Sequence, residues 1–167
     1  MLHDPPSHWD YLFLDMATRV ARESKDPSTQ VGCVLVGPGK EGLGFSFNGL
    51  PRGVDDTERR LHNRAIKYRM IVHAEQNMIA TAARMGITTL NCSMYMAARN
   101  LQCMVWGGYP CDQCAASIVQ AGIREFVSWD MKAPDPRWGR NSHYARDIFA
   151  EAGVLFRTVS FYPDLTA

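Results

Sequence analysis

The feature that most constrains the fold of this chain is a pair of short motifs that together hold three soft metal ligands and one carboxylate. The first is His73-Ala74-Glu75, and the second is Pro110-Cys111-Asp112-Gln113-Cys114. A catalytic zinc site needs three protein ligands and an open fourth position, and one imidazole with two thiolates meets this requirement. We therefore expect the fold to bring His73, Cys111 and Cys114 together around one zinc ion.

The spacing of these residues predicts that each motif begins a helix. Residues three apart share a helix face, so Cys111 and Cys114 can bind one ion in a helix from Cys111 to Ala121 that Gly122 ends. A helix N-terminus, where proline is tolerated, also favours thiolate over thiol. His73 and Glu75 are two apart and can face one cavity only where a helix starts. Good helix formers up to Met85, followed by Gly86, support such a start, with Glu75 beside the zinc but not bound to it.

Other kinds of Cys-x-x-Cys site fit the sequence less well. A lone Cys-x-x-Cys is more often a structural zinc site or a redox pair. A structural zinc site needs a fourth ligand nearby, but the chain has no second Cys-x-x-Cys and no His-x-x-x-His. A thioredoxin-like pair would follow the first strand of a βαβ unit, whereas this pair lies late in the chain. The two motifs together favour a catalytic zinc.

Length, charge and cysteine content favour one cytoplasmic domain that acts on a small molecule. With 167 residues and 46% hydrophobic content, the chain can bury a core as a single domain, residues 1–167. Its net charge of +1, with acids and bases interspersed, provides no basic tract for a nucleic acid. Cys33, Cys92 and Cys103 form an odd remainder without a secretory signal, which suggests a reducing cytoplasm. No apolar stretch approaches membrane-spanning length.

Hydrophobic periodicity predicts a three-layer α/β/α fold around a mixed five-stranded sheet. The first helix has a capping-box-like start at Ser7 and Asp10 and one apolar stripe made of Trp9, Leu12, Phe13, Met16 and Val20. The remaining elements are predicted as strands at 31–36, 42–47, 92–98, 125–129 and 154–161, and helices at 57–69 and 142–152. The first two strands should form an antiparallel hairpin. The helix between the last two strands provides a crossover and predicts a parallel final pair.

Four stretches of the sequence resemble the deoxycytidylate (dCMP) deaminase family, within the cytidine deaminase-like superfamily. They are residues 24–33, 47–53, 67–77 and 110–123. The zinc motif is typical of the whole superfamily, whereas Asn48-Gly49-Leu50-Pro51 and the Asp-Pro-x-x-Gln-Val-Gly entry to the first strand are more specific to dCMP deaminases. In free cytidine deaminases, by contrast, the last strands run antiparallel.

The resemblance implies hydrolytic removal of the 4-amino group of dCMP, which gives dUMP and ammonia. Zinc lowers the pKa of a bound water to about 7 and so makes hydroxide available. Glu75 would take the water proton and pass it to N3 and then to the leaving ammonia. Two rival interpretations are a tRNA adenosine deaminase-like enzyme, which the weak net charge disfavours, and a non-catalytic zinc-stabilised scaffold, which would have no use for Glu75.

The resemblance also implies contacts to the nucleotide and to regulators. Asn48 matches a family residue that contacts the sugar, and the backbone around Val31 and Gly32 should line the pocket floor. Further substrate contacts are expected at Lys25, Ala74 and Tyr109, with Lys25, Arg52 and Arg59 as candidate phosphate partners. The family resemblance implies a homo-oligomer, a hexamer, regulated by a deoxynucleoside triphosphate with Mg²⁺. The effector residues it implies are Asn48, Gly49, Pro51 and Arg52.

The main departure from the family is an insertion of about ten residues, Arg99 to Gly108, before the zinc cysteines. Four of its residues are too apolar for a solvated loop: Leu101, Met104, Val105 and Trp106. They should be buried against the substrate opening or against a neighbouring subunit. In the first case the segment shapes the pocket wall near the pyrimidine 5-position or closes over the bound nucleotide, and 5-modified dCMP becomes a candidate substrate.

Overall fold

The computed structural model describes residues 5–130 and 142–161 and arranges them as a central sheet with helices on both faces. Its elements in chain order are α1 (His8–Ala21), β1 (Gln30–Val36), β2 (Gly42–Phe47), α2 (Glu58–His62), α3 (Arg64–Met70), α4 (Ala74–Met85), β3 (Ser93–Arg99), β4 (Val105–Trp106), α5 (Asp112–Gln120), β5 (Glu125–Trp129), α6 (Ser142–Ala152) and β6 (Leu155–Val159). None of the helices in these ranges is both long and apolar enough to cross a membrane.

The strands run in the order β2-β1-β3-β5-β6, and β4 pairs with the end of β3. β1 is antiparallel to both of its neighbours, so β1 and β2 form the expected hairpin. β3, β5 and β6 are parallel, which confirms the predicted final pair and the crossover role of α6. The predicted α/β fold with a mixed sheet is therefore confirmed. The described part of the sheet has one strand more than expected, because the insertion contributes β4.

Alternation along the strands divides the apolar side chains between two clusters, one on each face of the sheet. On one face α1 packs against residues that include Val34, Tyr95 and Val127. On the other face, Leu35, Met94 and Phe126 share a cluster with apolar residues of α4, α5 and α6. The second face is the one that carries both zinc motifs, because Ala74 of α4 and Ala115 of α5 belong to its cluster.

The apolar stripe predicted for α1 is wrong at three of its five positions. Trp9, Leu12 and Met16 are 37–45% exposed, whereas only Phe13 of the predicted stripe is fully buried and Val20 is half-buried. The buried face includes Asp10, whose carboxylate is bound by Arg157 from β6 and Tyr95 from β3. These bonds turn the helix so that Leu14, Ala17 and Ala21 face the sheet.

The insertion folds back on β3 as a short hairpin. Trp106 pairs with Ala98, and Val105 pairs with Arg99. Two of the four apolar residues are at least partly buried within the chain: Trp106 joins the cluster beneath α4 and α5, and Val105 packs on the α1 face. The other two, Leu101 and Met104, are more than half exposed in the single chain.

The predicted helix over residues 57–69 is two helices. α2 ends at His62, and Asn63 then acts as the N-cap of α3, because its side-chain oxygen accepts hydrogen bonds from the backbone of Ala65 and Ile66. Asparagine is a preferred N-cap residue, which explains the break. Its consequence is that α3 leads directly into the first zinc motif.

Candidate active site

The first zinc motif lies at the head of α4. His73 is the N-cap residue, Glu75 lies in the first turn, and Gly86 ends the helix in the left-handed conformation with φ 68°. A left-handed terminal residue favours glycine because it has no Cβ. Glu75 is only 5% exposed. The structure therefore has the helix start that allows His73 and Glu75 to face one cavity.

Two hydrogen bonds hold the head of α4 against the end of β2. The hydroxyl of Ser46 donates to the backbone oxygen of Ala74 at 2.7 Å. The side-chain amide of Asn77 donates to the backbone oxygen of Phe47 at 2.9 Å. Both Ser46 and Asn77 fix the helix that carries Glu75, and neither was predicted to do so.

The second zinc motif lies at the head of α5. Cys111 is the N-cap residue, and its sulfur accepts a hydrogen bond from the backbone N–H of Cys114 at 3.4 Å. Cys114 sits in the first turn and is fully buried. The predicted helix start is confirmed, although the helix itself begins one residue later, at Asp112.

The heads of the two helices bring the three predicted ligands together. The Nδ1 atom of His73 is 3.4 Å from the Sγ atom of Cys111 and 3.4 Å from that of Cys114. Within the described residues, these three donor atoms lie within 4.8 Å of one another. Nitrogen and sulfur ligands of a tetrahedral zinc stand about 3.5 Å apart, given ordinary bond lengths. The donor set therefore fits a zinc ion in both chemistry and spacing.

Charge within the cluster supports the same conclusion. The hydrogen bond between the two cysteines lowers the pKa of Cys111 to about 4 and raises the pKa of Cys114. The hydrogen bond to Cys111 raises the pKa of His73 to about 9. Burial raises the pKa of Glu75. A divalent cation bound between the donors would replace the protons that these groups otherwise share.

Asn48, the predicted sugar contact, joins the end of β2 to the start of β1. Its side-chain oxygen accepts a hydrogen bond from the backbone N–H of Val31 at 2.7 Å, and its side-chain nitrogen donates to the backbone oxygen of Thr29 at 2.9 Å. Gly49 forms a backbone bridge with Val72, the residue before His73. The structure therefore brings Asn48 and Val31 to the chain segment that carries the first ligand.

Gly32, predicted to line the pocket floor, is close to α1. A Cβ atom at this position would lie 2.2 Å from the backbone oxygen of Ala17 and 2.6 Å from the backbone nitrogen of Ala21. The close approach of α1 thus requires glycine at this position, while the contact of its backbone with a substrate stays a prediction.

In the described residues, no side-chain hydrogen bond, ion pair or ring contact joins the other predicted contact residues to His73, Cys111 or Cys114. Lys25 is mostly exposed and forms an ion pair with Asp56 at 2.7 Å. Arg52 and Arg59 are exposed, as is Pro51 in the predicted effector loop. The ring of Tyr109 stacks on Phe156 of β6 with centroids 3.8 Å apart.

One buried ion pair, at the entry of β1, was not predicted from the sequence. The Nζ atom of Lys67 in α3 is 2.8 Å from the carboxylate of Asp26 and 2.8 Å from the hydroxyl of Ser28. Both charged side chains are at most 7% exposed. The partners are 41 residues apart, so the local charge pattern gives no sign of the pair. It ties the entry of β1 to the helix that leads into His73.

Comparisons with known proteins agree with the site. The family described as the cytidine and deoxycytidylate deaminase zinc-binding region matches residues 7–129. The deoxycytidylate deaminase of Mus musculus is 34% identical over 154 residues, which cover 89% of this chain and 78% of that protein. An uncharacterized deaminase encoded in the luxG 3' region of Aliivibrio fischeri is 37% identical over 152 residues, covering 89% of this chain and 91% of that protein.

A solved structure shows the same fold. The dCMP deaminase of cyanophage S-TIM5, in complex with dCMP and dUMP, aligns with a TM-score of 0.63 and 19% identity, and the alignment covers 93% of this chain and 100% of that chain. The family match spans both zinc motifs, and the relatives cover most of the sequence. The chain therefore belongs to the cytidine and deoxycytidylate deaminase family of zinc-binding enzymes.

Proposed function

We propose that this protein hydrolyses a deoxycytidine monophosphate-type nucleotide, converting dCMP and water to dUMP and ammonia. The observation that supports this most is the convergence of His73, Cys111 and Cys114 beside the buried carboxylate of Glu75. Relatives named deoxycytidylate deaminase match 89% of the chain, which supports a nucleotide of this class as the substrate.

In this proposal Nδ1 of His73 and the sulfur atoms of Cys111 and Cys114 hold the zinc ion. Bound there, zinc supplies a water molecule that loses a proton near neutral pH. Glu75 accepts that proton, because it is a buried carboxylate at the site and not one of the three clustered donors.

Glu75 then delivers the proton to N3 of the cytosine ring while the water oxygen bonds to C4. Glu75 next carries the second proton of that water, which is on the new C4 hydroxyl, to the amino nitrogen, so that the C4–N4 bond breaks, ammonia departs and C4 keeps a carbonyl oxygen. The same carboxylate thus acts first as base and then as acid. Burial raises the pKa of Glu75, which favours this second role because it helps the group to hold a proton.

Asn48, Val31, Gly32 and Ala74 line the nucleoside part of the pocket in this proposal. Asn48 uses one amide hydrogen on Thr29, so its second amide hydrogen is available for a sugar oxygen. Lys25, Arg52 and Arg59 are the proposed phosphate partners, and Tyr109 the proposed contact before the zinc cysteines. Asn48, Gly49, Pro51 and Arg52 remain the proposed site for a triphosphate effector with Mg²⁺ in a hexamer.

A panel of potential substrates tests the proposal. Ammonia release and ultraviolet absorbance are followed with dCMP, deoxycytidine, cytidine and a tRNA at equal enzyme concentration. We expect kcat/KM for dCMP to exceed that for deoxycytidine by at least about 100-fold, because a site built to bind phosphate leaves donors unpaired when the group is missing. Equal efficiency on the nucleoside, or deamination of tRNA, would contradict the proposal.

A further inference from the structure

Three residues of the sheet form a row beneath the helices that carry the zinc ligands. Val31 of β1 pairs with Ala98 of β3, and Ala98 pairs with Trp106 of β4. All three side chains belong to, or pack against, the apolar cluster that includes Ala74 and Ala115. Trp106 therefore stands at the same level of the sheet as Val31, a proposed floor residue, and on the same face.

The neighbouring row lies close to the ligand cluster. Cys33, Met96 and Ser128 pair across β1, β3 and β5, one step further into the sheet. Cys33 shares an apolar cluster with Ala74, the residue before Glu75, and α4 packs on β1, so this row lies beneath the helix that carries Glu75. The row that contains Trp106 is two residues nearer the C-terminal end of β3, from which the chain continues toward Cys111.

α4, which carries Glu75, and β4, which carries Trp106, lie on opposite sides of β3. α4, which carries Glu75, packs on β1 and β2, while α6 packs on β6 and α5 lies between α4 and α6. β4 occupies the same side of β3 as β5 does, because β1 takes the other side along the whole strand. Trp106 therefore stands on the β5 side of β3, whereas the strands beneath α4 lie on the β1 side.

The chemistry of the proposed reaction fixes how a cytosine ring lies between them. C4 is the atom attacked, and N3 and C5 are its two ring neighbours. N3 must face Glu75 to receive a proton. C5 consequently faces the opposite direction, toward the side of the sheet on which Trp106 stands.

We propose that Trp106 forms the wall of the base pocket at the C5 edge and restricts substituents at that position. This inference rests on the proposed function, since it assumes a cytosine nucleotide in the site. In this proposal the ring lies above the small side chain of Ala98, between Val31 and Trp106. The large indole beyond Ala98 then limits the room for a group on C5.

The wall is held in place by close packing behind it. Gly107 lies against β5, where an added Cβ would be 2.1 Å from the backbone oxygen of Trp129. The backbone N–H of Gly108 donates to the hydroxyl of Ser128 at 2.9 Å. A side chain supported in this way can discriminate by shape, because it has little freedom to move aside.

The test compares dCMP with 5-methyl-dCMP and 5-hydroxymethyl-dCMP in the wild type, Trp106→Ala and Trp106→Phe. A methylene or methyl group in an apolar pocket is worth about 10-fold or more in kcat/KM. We expect Trp106→Ala to raise the ratio of kcat/KM for 5-methyl-dCMP to that for dCMP by at least about 10-fold, with unchanged zinc content. Trp106→Phe should shift it in the same direction by less, and it serves as the measure if the alanine variant does not fold.

The matched control is Trp129→Phe, a buried tryptophan on the α1 face of the same sheet. It reports the effect of lost packing and of the lost indole hydrogen bond to Thr18, both away from the zinc motifs, and should leave the substrate ratio as in the wild type. Calorimetry with dUMP and its 5-methyl derivative dTMP repeats the comparison without turnover. A Trp106→Ala ratio within twofold of the wild type overturns the inference while leaving the proposed function intact. A wild type that neither deaminates dCMP nor binds dUMP refutes the proposed function itself.

Discussion

At the scale of single residues, Glu75 is a buried carboxylate whose replacement separates chemistry from metal binding. We expect Glu75→Gln to keep the zinc and the fold, because glutamine has the same shape and the three clustered donors are untouched. Turnover of dCMP should fall by about 100-fold to 10,000-fold, since proton transfer alone is removed. Initial rates, metal analysis and thermal unfolding measure the three quantities. A variant with close to wild-type turnover would exclude Glu75 as the proton shuttle.

Cys111 allows a second test at the same scale, with another cysteine as its control. Cys111→Ala removes one of three zinc donors and the N-cap acceptor of α5, so zinc content and stability should fall together. The control is Cys103→Ser, because Cys103 is exposed and lies outside the donor cluster. The control should retain about one zinc per chain. Equal zinc content in both variants would contradict the ligand assignment.

At the scale of secondary-structure elements, one buried polar network joins α1 to three strands. Arg157 of β6 donates to Asp10 of α1 and to Glu125 of β5, Tyr95 of β3 donates to Asp10, and Ser93 of β3 donates to Glu125. Burial alone would raise the pKa of Asp10, but hydrogen bonds from Arg157, the backbone of Ser7 and Tyr95 outweigh it and lower the pKa to about 2.

This network predicts a particular dependence of stability on pH. The ordinary pKa of an aspartate is 3.8 and the folded value is about 2, so Asp10 stabilises the fold above that range and loses its contribution as pH falls through it. The contribution is about 2 kcal/mol. Asp10→Asn should therefore lower the free energy of unfolding by about that amount at pH 6 and flatten its decline between pH 4 and pH 2.

Urea unfolding at several pH values measures this effect. Asp147→Asn is the matched control, because Asp147 forms an ion pair with Arg146 in which both side chains are more than half exposed. Exposed pairs contribute about 0.2 to 1 kcal/mol, so the control curve should stay close to the wild type. If the free energy of unfolding of Asp10→Asn equals that of the wild type at every pH, Asp10 does not have this stabilising role.

Whether an element could be predicted from the sequence depends on how far apart its stabilising partners lie along the chain. The starts of α4 and α5 depend on neighbouring residues, so the spacing of His73, Glu75, Cys111 and Cys114 was sufficient to predict them. The orientation of α1 depends on the bond between Asp10 and Arg157, which are 147 residues apart. A periodicity count has no access to such a contact, and it therefore favoured Trp9 and Leu12 over Leu14.

At the scale of the whole molecule, the sequence of the insertion could not predict where its residues lie in the sheet. Its apolar residues correctly indicated burial for Trp106, but the pairing of Trp106 with Ala98 depends on the space left beyond the end of β5. That space is a property of the assembled sheet and not of the inserted segment. Composition could identify the residue as important, whereas only the fold places it beside the row that contains Val31.

We expect metal removal to destabilise the intact protein through the heads of α4 and α5. His73 is the N-cap of α4 and Cys111 that of α5, so a zinc ion bound by both joins two helices that come from different parts of the chain. Any ligand that binds only the folded state stabilises it, by about 4 kcal/mol at a concentration 1,000 times Kd. For a domain of this size, such a change shifts Tm by on the order of 10 °C.

Chelation should therefore lower Tm by about this amount in the wild type and equally in Glu75→Gln, and added Zn²⁺ should restore it, as measured by calorimetry. Because Cys111→Ala lacks a donor, its Tm should respond little to either treatment, and a wild-type Tm that chelation leaves unchanged despite complete zinc loss would show that the helix heads hold together without the ion.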